Sequence, residues 1–191
     1  CRDLSTVISL EQISIHAGIL AQQIRTTYKK PHAALKLWLS DPANGKIEAI
    51  SAAVNKNIKQ KVGEFEVVWD TGLQKKIQHL RESYLPSETG GVIIGYYDLT
   101  TKKIYIVDIL PQPEDSQGDP SGFTRGTREL SDLIETIQAR TAGIVHYIGE
   151  WHSHPDQNSA RPSAADLFQL SHLAIELDSD GLPALMLIAG D

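Results

Sequence analysis

The sequence predicts a mixed α/β fold in which a central, mostly antiparallel β-sheet is flanked by helices, with a small α/β segment ahead of it. Three observations carry that expectation. Two nearly continuous apolar runs, Gly91 to Tyr97 and Lys103 to Leu110, are joined by a polar turn and read as neighbouring strands of a covered sheet. Apolar residues at helical spacing flank them, as Leu73, Ile77, Leu80 and Tyr84 before and as Leu130, Leu133, Ile134 and Ile137 after. Two further apolar segments, "GIVHYIGEWHSH" and "ALMLIA", enclose a third helix from Ala164 to Leu177.

In chain order, Ser9 with Gln12 forms a capping box ahead of Ile13, Ala17, Leu20 and Ile24, which predicts a helix over 10–27. "LKLWL" and "KIEAIS" flank "SDPANG", whose Asp-Pro and Asn-Gly steps are turn signals, so they read as a hairpin. Lys56 to Gly63 is polar and lysine-rich and reads as a linker, which places a boundary between a segment 1–62 and a domain 63–191. "VVW" is a short strand, and Pro86 ends the helix that follows it. The stretch 111–126, with three prolines and three glycines, is expected to be an irregular loop of the kind that often carries function. Trp151 reads as core, and His146 and His172 as structural.

Composition removes several classes of function. The chain has 191 residues, 41% of them apolar, with 18 Lys and Arg against 24 Asp and Glu for a net charge of −6. A mildly acidic chain without a basic run does not ask for nucleic acid or an anionic membrane. The only cysteine is Cys1, which excludes internal disulfides and zinc sites built on paired thiolates. Any metal has to sit on histidine and carboxylate. With no secretory leader and no apolar run of membrane length, the protein reads as cytoplasmic. Its single methionine is Met186, so the chain is expected to be a fragment or a processed piece.

The chemistry concentrates in "GEWHSHPDQNSARPSAAD", residues 149–166. On a strand, residues i and i+2 share a face, so His152 and His154 present two imidazoles to one side. Ser163 and Asp166 stand where a helix N-cap and its N3 acid belong, which needs no metal to explain it. Asp166 can both cap and ligate. Two histidines and one carboxylate leave a tetrahedral Zn²⁺ with one open position, the arrangement of catalytic rather than structural zinc. Hydrolysis also needs a base, and two acids compete. Glu88 precedes paired glycines at the mouth of a buried strand, whereas Glu150 shares a face with the histidines. The residues alone do not rank them.

Together, "ETGGVIIG", "HSHP" and "PSAAD" resemble the JAMM (MPN+) metalloprotease motif, in its bacterial JAB-domain branch. The resemblance covers about Val67 to Asp191 and implies the JAB/MPN sheet with cytidine-deaminase-like layering, lacking the closing elements such a domain usually has. It places zinc on His152, His154 and Asp166, the general base on Glu88 and an oxyanion-binding hydroxyl on Ser163. Eight residues separate His154 from Ser163, one more than the usual eukaryotic spacing. "VISLEQISIHAGILAQQI" is similar to the tail of ThiF-type, ubiquitin-activating-like adenylyltransferases, which in bacteria occur fused ahead of a JAB domain. Residues 1–62 would then be the remnant of such a domain. Without a glycine-rich nucleotide loop they are not expected to activate anything. Cys1 reads either as that domain's thioester cysteine or as an ordinary residue, and has no assigned role.

The resemblance implies a zinc isopeptidase that cleaves after the C-terminal glycine of a ubiquitin-like, beta-grasp protein, with fused or associated activating and conjugating enzymes as partners. Phe123 and Arg125, in the 111–126 loop, are the candidates for gripping the substrate tail, unless that loop only shields a sheet edge. Two other classes stand beside this one, a JAMM peptidase acting on a small peptide or amide and a non-catalytic interaction module. Other zinc hydrolases fit less well, because no H-E-x-x-H motif occurs and deaminases need a cysteine pair.

Overall fold

A computed structural model describes residues 36–40, 47–51, 56–178 and 181–191. The helix expected over 10–27 lies outside them. The expected hairpin is present as β1 (Lys36–Ser40) and β2 (Ile47–Ser51), antiparallel with Lys36 opposite Ser51.

The main sheet has six strands: β3 (Asn57–Val62), β4 (Phe65–Asp70), β5 (Gly90–Asp98), β6 (Lys103–Leu110), β9 (His146–Ser153) and β10 (Leu185–Ala189). Their order is β10-β9-β5-β6-β4-β3, with β9/β10 and β4/β6 parallel and the other three pairings antiparallel. The fold is thus the mixed α/β sheet expected from the sequence. The supposed linker at 56–63 is instead edge strand β3, paired with β4 from Asn57↔Asp70 to Val62↔Phe65. Its outer four residues are exposed, and lysines on a sheet edge discourage pairing with a further chain. The sheet therefore starts at Asn57 rather than at residue 63. The loop 111–126 also departs from expectation, because it contains a short antiparallel hairpin, β7 (Gln117–Asp119) and β8 (Gly122–Thr124).

Helix α1 (Thr71–Tyr84) follows β4, α2 (Leu130–Arg140) precedes β9, and α3 (Ala164–Asp178) crosses from β9 to its parallel neighbour β10. Side chains on β5 alternate between two cores. Ile93 packs with Leu73 and Ile77 of α1, while Val92 and Ile94 pack with Ile137 of α2. The register shifts twice along β5, at extra residues in its partner strands β6 and β9. Ile93 pairs with Gly149 and Ile94 with Tyr147, leaving Ile148 as the extra residue of β9. After the bulge Trp151, 1% exposed, enters the α1-side core and donates its indole N–H to the Leu110 carbonyl at 2.9 Å. Glu150 and His152 alternate with it and face the other side.

The start of α1 depends on Asp70, whose buried carboxylate accepts the Leu73 amide at 2.8 Å. Asp70→Ala is expected to cost about 1–2 kcal/mol through the lost cap, read as a lower urea midpoint at unchanged slope. An unchanged midpoint would show that the cap contributes nothing to stability.

Candidate metal centre

His152 is the penultimate residue of β9 and His154 lies one residue past the strand's end at Ser153. Their Nε2 atoms face each other at 3.3 Å. Asp166, in the first turn of α3, completes the group, with Oδ1 3.2 Å from His152 Nε2 and Oδ2 3.4 Å from His154 Nε2. The cap expected of Asp166 is formed, on a carboxylate that also faces both imidazoles. The Ser163 amide donates to Asp166 Oδ2 at 2.6 Å and the Asp166 amide donates to Ser163 Oγ at 3.2 Å, a reciprocal cap that fixes the carboxylate.

The donor set suits a divalent cation. One ligand atom from each of the three residues falls within 4.8 Å of the others. Tetrahedral bonds of about 2.0–2.1 Å imply ligand–ligand edges of about 3.3–3.4 Å, close to the separations seen here. His154 Nδ1 sits 2.7 Å from the Ser159 carbonyl, an acceptor, so Nδ1 carries the proton and the Nε2 lone pair faces His152 and Asp166. Burial lowers the pKa of His152, aided by His154 and opposed by Asp166, which favours the neutral, ligating ring. Burial alone would raise the Asp166 pKa. The Ser163 hydrogen bonds and the two imidazoles outweigh it and hold the carboxyl below its usual range, hence ionised.

These residues line a cleft of about 420 Å³ together with Glu88, Phe123, Glu150 and Ser163. Glu88 lies just before β5, and its amide donates to the Asp119 carbonyl of β7 at 3.0 Å. Burial raises its pKa; His154 opposes the shift, and Asp166 and Asp119 add to it. Buried Ser153 ties this segment to the ligand strand, donating its amide to Thr89 O at 2.7 Å and accepting the Thr89 amide on Oγ at 3.1 Å. The glycines after Glu88 are required by close approach. A Cβ on Gly90 would lie 2.5 Å from the Trp151 carbonyl and 2.6 Å from the Phe123 ring, and one on Gly91 would lie 2.0 Å from the Leu110 carbonyl.

The rival acid is engaged elsewhere. Glu150 Oε1 accepts from Arg125 at 2.8 Å and from the Tyr147 hydroxyl at 3.3 Å, and Oε2 accepts from Gln169 at 2.6 Å. Arg125 thus anchors the base of the β7–β8 hairpin to β9 and does not line the cleft, whereas Phe123 does. Gln169 escaped sequence reasoning, although its place one turn after Asp166 on α3 puts it on the same side of the helix. Ser159 acts through its backbone carbonyl, which leaves no trace in residue type. His146 and His172 are not part of the ligand group; the His172 ring packs edge-on against Phe168 at 4.5 Å.

With this sheet and this site, the protein falls in the class of JAB-type folds. The family of prokaryotic homologs of the JAB domain matches residues 71–191, well over half of the sequence, and the chain belongs to that family. Among curated proteins it is similar to the CD-NTase/cGAS isopeptidase of Enterobacter hormaechei subsp. hoffmannii (strain UCI 50), 36% identical over 104 residues, which cover 54% of this chain and 56% of the relative. It is also similar to the CD-NTase/cGAS isopeptidase of Escherichia coli (strain TW11681), 27% identical over 109 residues, covering 56% of this chain and 64% of the relative. The match therefore spans between half and two thirds of each relative's length. A solution structure of protein DSY2949 from Desulfitobacterium hafniense aligns with a TM-score of 0.37 and 22% identity, covering 50% of this chain and 61% of that one. Among the described residues no helix is long and apolar enough to cross a membrane.

Proposed function

We propose that this chain is a zinc-dependent isopeptidase that cleaves after the C-terminal glycine of a ubiquitin-like protein. The convergence of His152, His154 and Asp166 on one point of a cleft that also holds Glu88 is the observation that carries the reading. A zinc ion held by those three residues would supply Lewis-acid polarisation of the scissile carbonyl and a more acidic water. The chain's own groups do the rest. Glu88 takes a proton from the attacking water and returns it to the leaving amine, and burial that raises its pKa suits both tasks. Ser163 keeps its hydroxyl proton free to donate to the oxyanion, because in the cap its Oγ acts as acceptor.

The β7–β8 hairpin, with Phe123 against Gly90, forms one wall of the cleft. Its edge suits an extended tail added as a further strand, and a glycine-rich tail brings the least bulk past the site. Arg125 contributes by holding that wall through Glu150. The name shared by the two curated relatives favours isopeptide over ordinary peptide bonds as the target. In the same reading, the segment ahead of the sheet is the tail of a ThiF-type activating domain, and the conjugating machinery and its ubiquitin-like protein are the partners.

The test uses a ubiquitin-like protein fused through its C-terminal glycine to a reporter and incubated with the zinc-loaded protein. Mass spectrometry should find cleavage immediately after that glycine, and His152→Ala should abolish it. Cleavage of unrelated short peptides with the fusion untouched at micromolar enzyme would overturn the substrate assignment and leave a general peptidase.

A further inference from the structure

The two histidines are held very differently. His152 lies within the sheet, opposite Gly90 of β5 on one side and Ile188 of β10 on the other. His154 has left the ladder and keeps one bond of that kind, its amide donating to the Ala189 carbonyl at 2.7 Å. The next residue, Pro155, has no N–H to offer. What fixes this turn from behind is Arg81 of α1, only 5% exposed. Its Nε donates to the His154 carbonyl at 2.9 Å and its Nη2 to the Pro155 carbonyl at 3.1 Å. Nη2 also reaches Asp156 Oδ1 at 3.4 Å, and Nη1 pairs with Asp191 Oδ1 at 2.9 Å.

A buried guanidinium is costly unless its donors are used, and here they grip two successive carbonyls beside a ligand. Packing alone does not ask for it. One turn earlier on the same helix, the core is filled by Ile77. We propose that Arg81 is a positioning residue of the cation site, setting the backbone from which the His154 imidazole reaches His152 and Asp166. The ring's other tether is Nδ1 to the Ser159 carbonyl, so the imidazole is held at both ends, by Arg81 through its backbone and by Ser159 through its edge. His152 depends on the ladder and Asp166 on its cap, so neither needs Arg81. Groups that back a ligand in this way change metal affinity by about 10–100-fold.

This inference rests on the cation reading above, and the experiment separates the two. Zinc affinity is measured on the full chain by chelator competition for wild type, Arg81→Lys, Arg81→Ala and His152→Ala. Thermal melts and histidine ring ¹⁵N spectra are recorded on the metal-free proteins. Lysine keeps the charge facing Asp191 but cannot fork onto both carbonyls. Folded Arg81→Lys should bind zinc about 10–100-fold more weakly, with the His154 ring signals shifted and those of His152 in place. If Arg81→Ala does not melt cooperatively, the lysine variant alone decides. Wild-type affinity and an unmoved His154 signal in a folded Arg81 variant would overturn the positioning role while the cation site stands. A wild-type protein that binds zinc no better than His152→Ala would remove the site itself, and the positioning role with it.

Discussion

Replacing His152 with alanine is expected to reduce bound zinc from about one ion per chain to a trace, and to abolish hydrolysis with it. The expectation follows from the donor count. With three protein ligands and an open fourth position, removing one leaves two, too few to hold the ion against buffer and chelator. Asp166→Ala should lose zinc as well, but it also removes the reciprocal cap on α3, so part of its effect would be on stability. Asp166→Asn separates the two contributions. Its amide oxygen can still accept the Ser163 amide, while the negative charge that the cation requires is gone. It should stay folded and lose most of its zinc. Elemental analysis after gel filtration, with circular dichroism as the check on folding, decides the matter. Full zinc occupancy in a protein lacking both imidazoles, His152→Ala with His154→Ala, would place the ligands elsewhere.

The grouping of His152, His154 and Asp166 was legible because each rests on a short-range rule. Strand alternation puts His152 and His154 on one side, and the Ser163-to-Asp166 spacing defines a capped helix start. Elements with strong apolar periodicity, such as α1, β5, β6 and α2, were legible for the same reason. What was not legible depends on contacts distant in sequence. Strand β3 reads as linker because its composition is polar and lysine-rich, and only its pairing with β4 makes it a strand. The β7–β8 hairpin has three residues per strand, two of the six being glycine, and is closed by side-chain bonds such as that from the Ser121 amide to Asp119 Oδ1 at 2.6 Å. The bulge at Ile148 sets which side of β9 Glu150 occupies, and no local pattern announces it. From the sequence, Arg125 reads as a candidate for gripping a substrate tail. Its partner, Glu150, lies 25 residues away in sequence and becomes its neighbour only in the fold.

That pairing separates the two acids and sets the second large effect. Glu88→Gln is expected to keep its zinc and lose about 10²-fold or more in turnover, equivalent to about 2.7 kcal/mol of barrier. Glutamine preserves shape and hydrogen-bonding capacity but cannot accept the proton of the attacking water, so the loss should fall on kcat with little change in KM. Glu150→Gln is the matched control. It leaves Arg125 with an amide in place of a carboxylate and weakens the anchor of the β7–β8 wall, so its effect should appear in KM and in thermal stability. Single-turnover kinetics with saturating substrate distinguish the two outcomes. If Glu150→Gln abolished turnover with zinc retained while Glu88→Gln remained active, the proton would pass through Glu150, and the Arg125 ion pair would have to open during each cycle. The four interactions that hold Glu150 closed argue against that route, with Arg125 Nε and Nη2 and the Tyr147 hydroxyl on one oxygen and the Gln169 amide on the other.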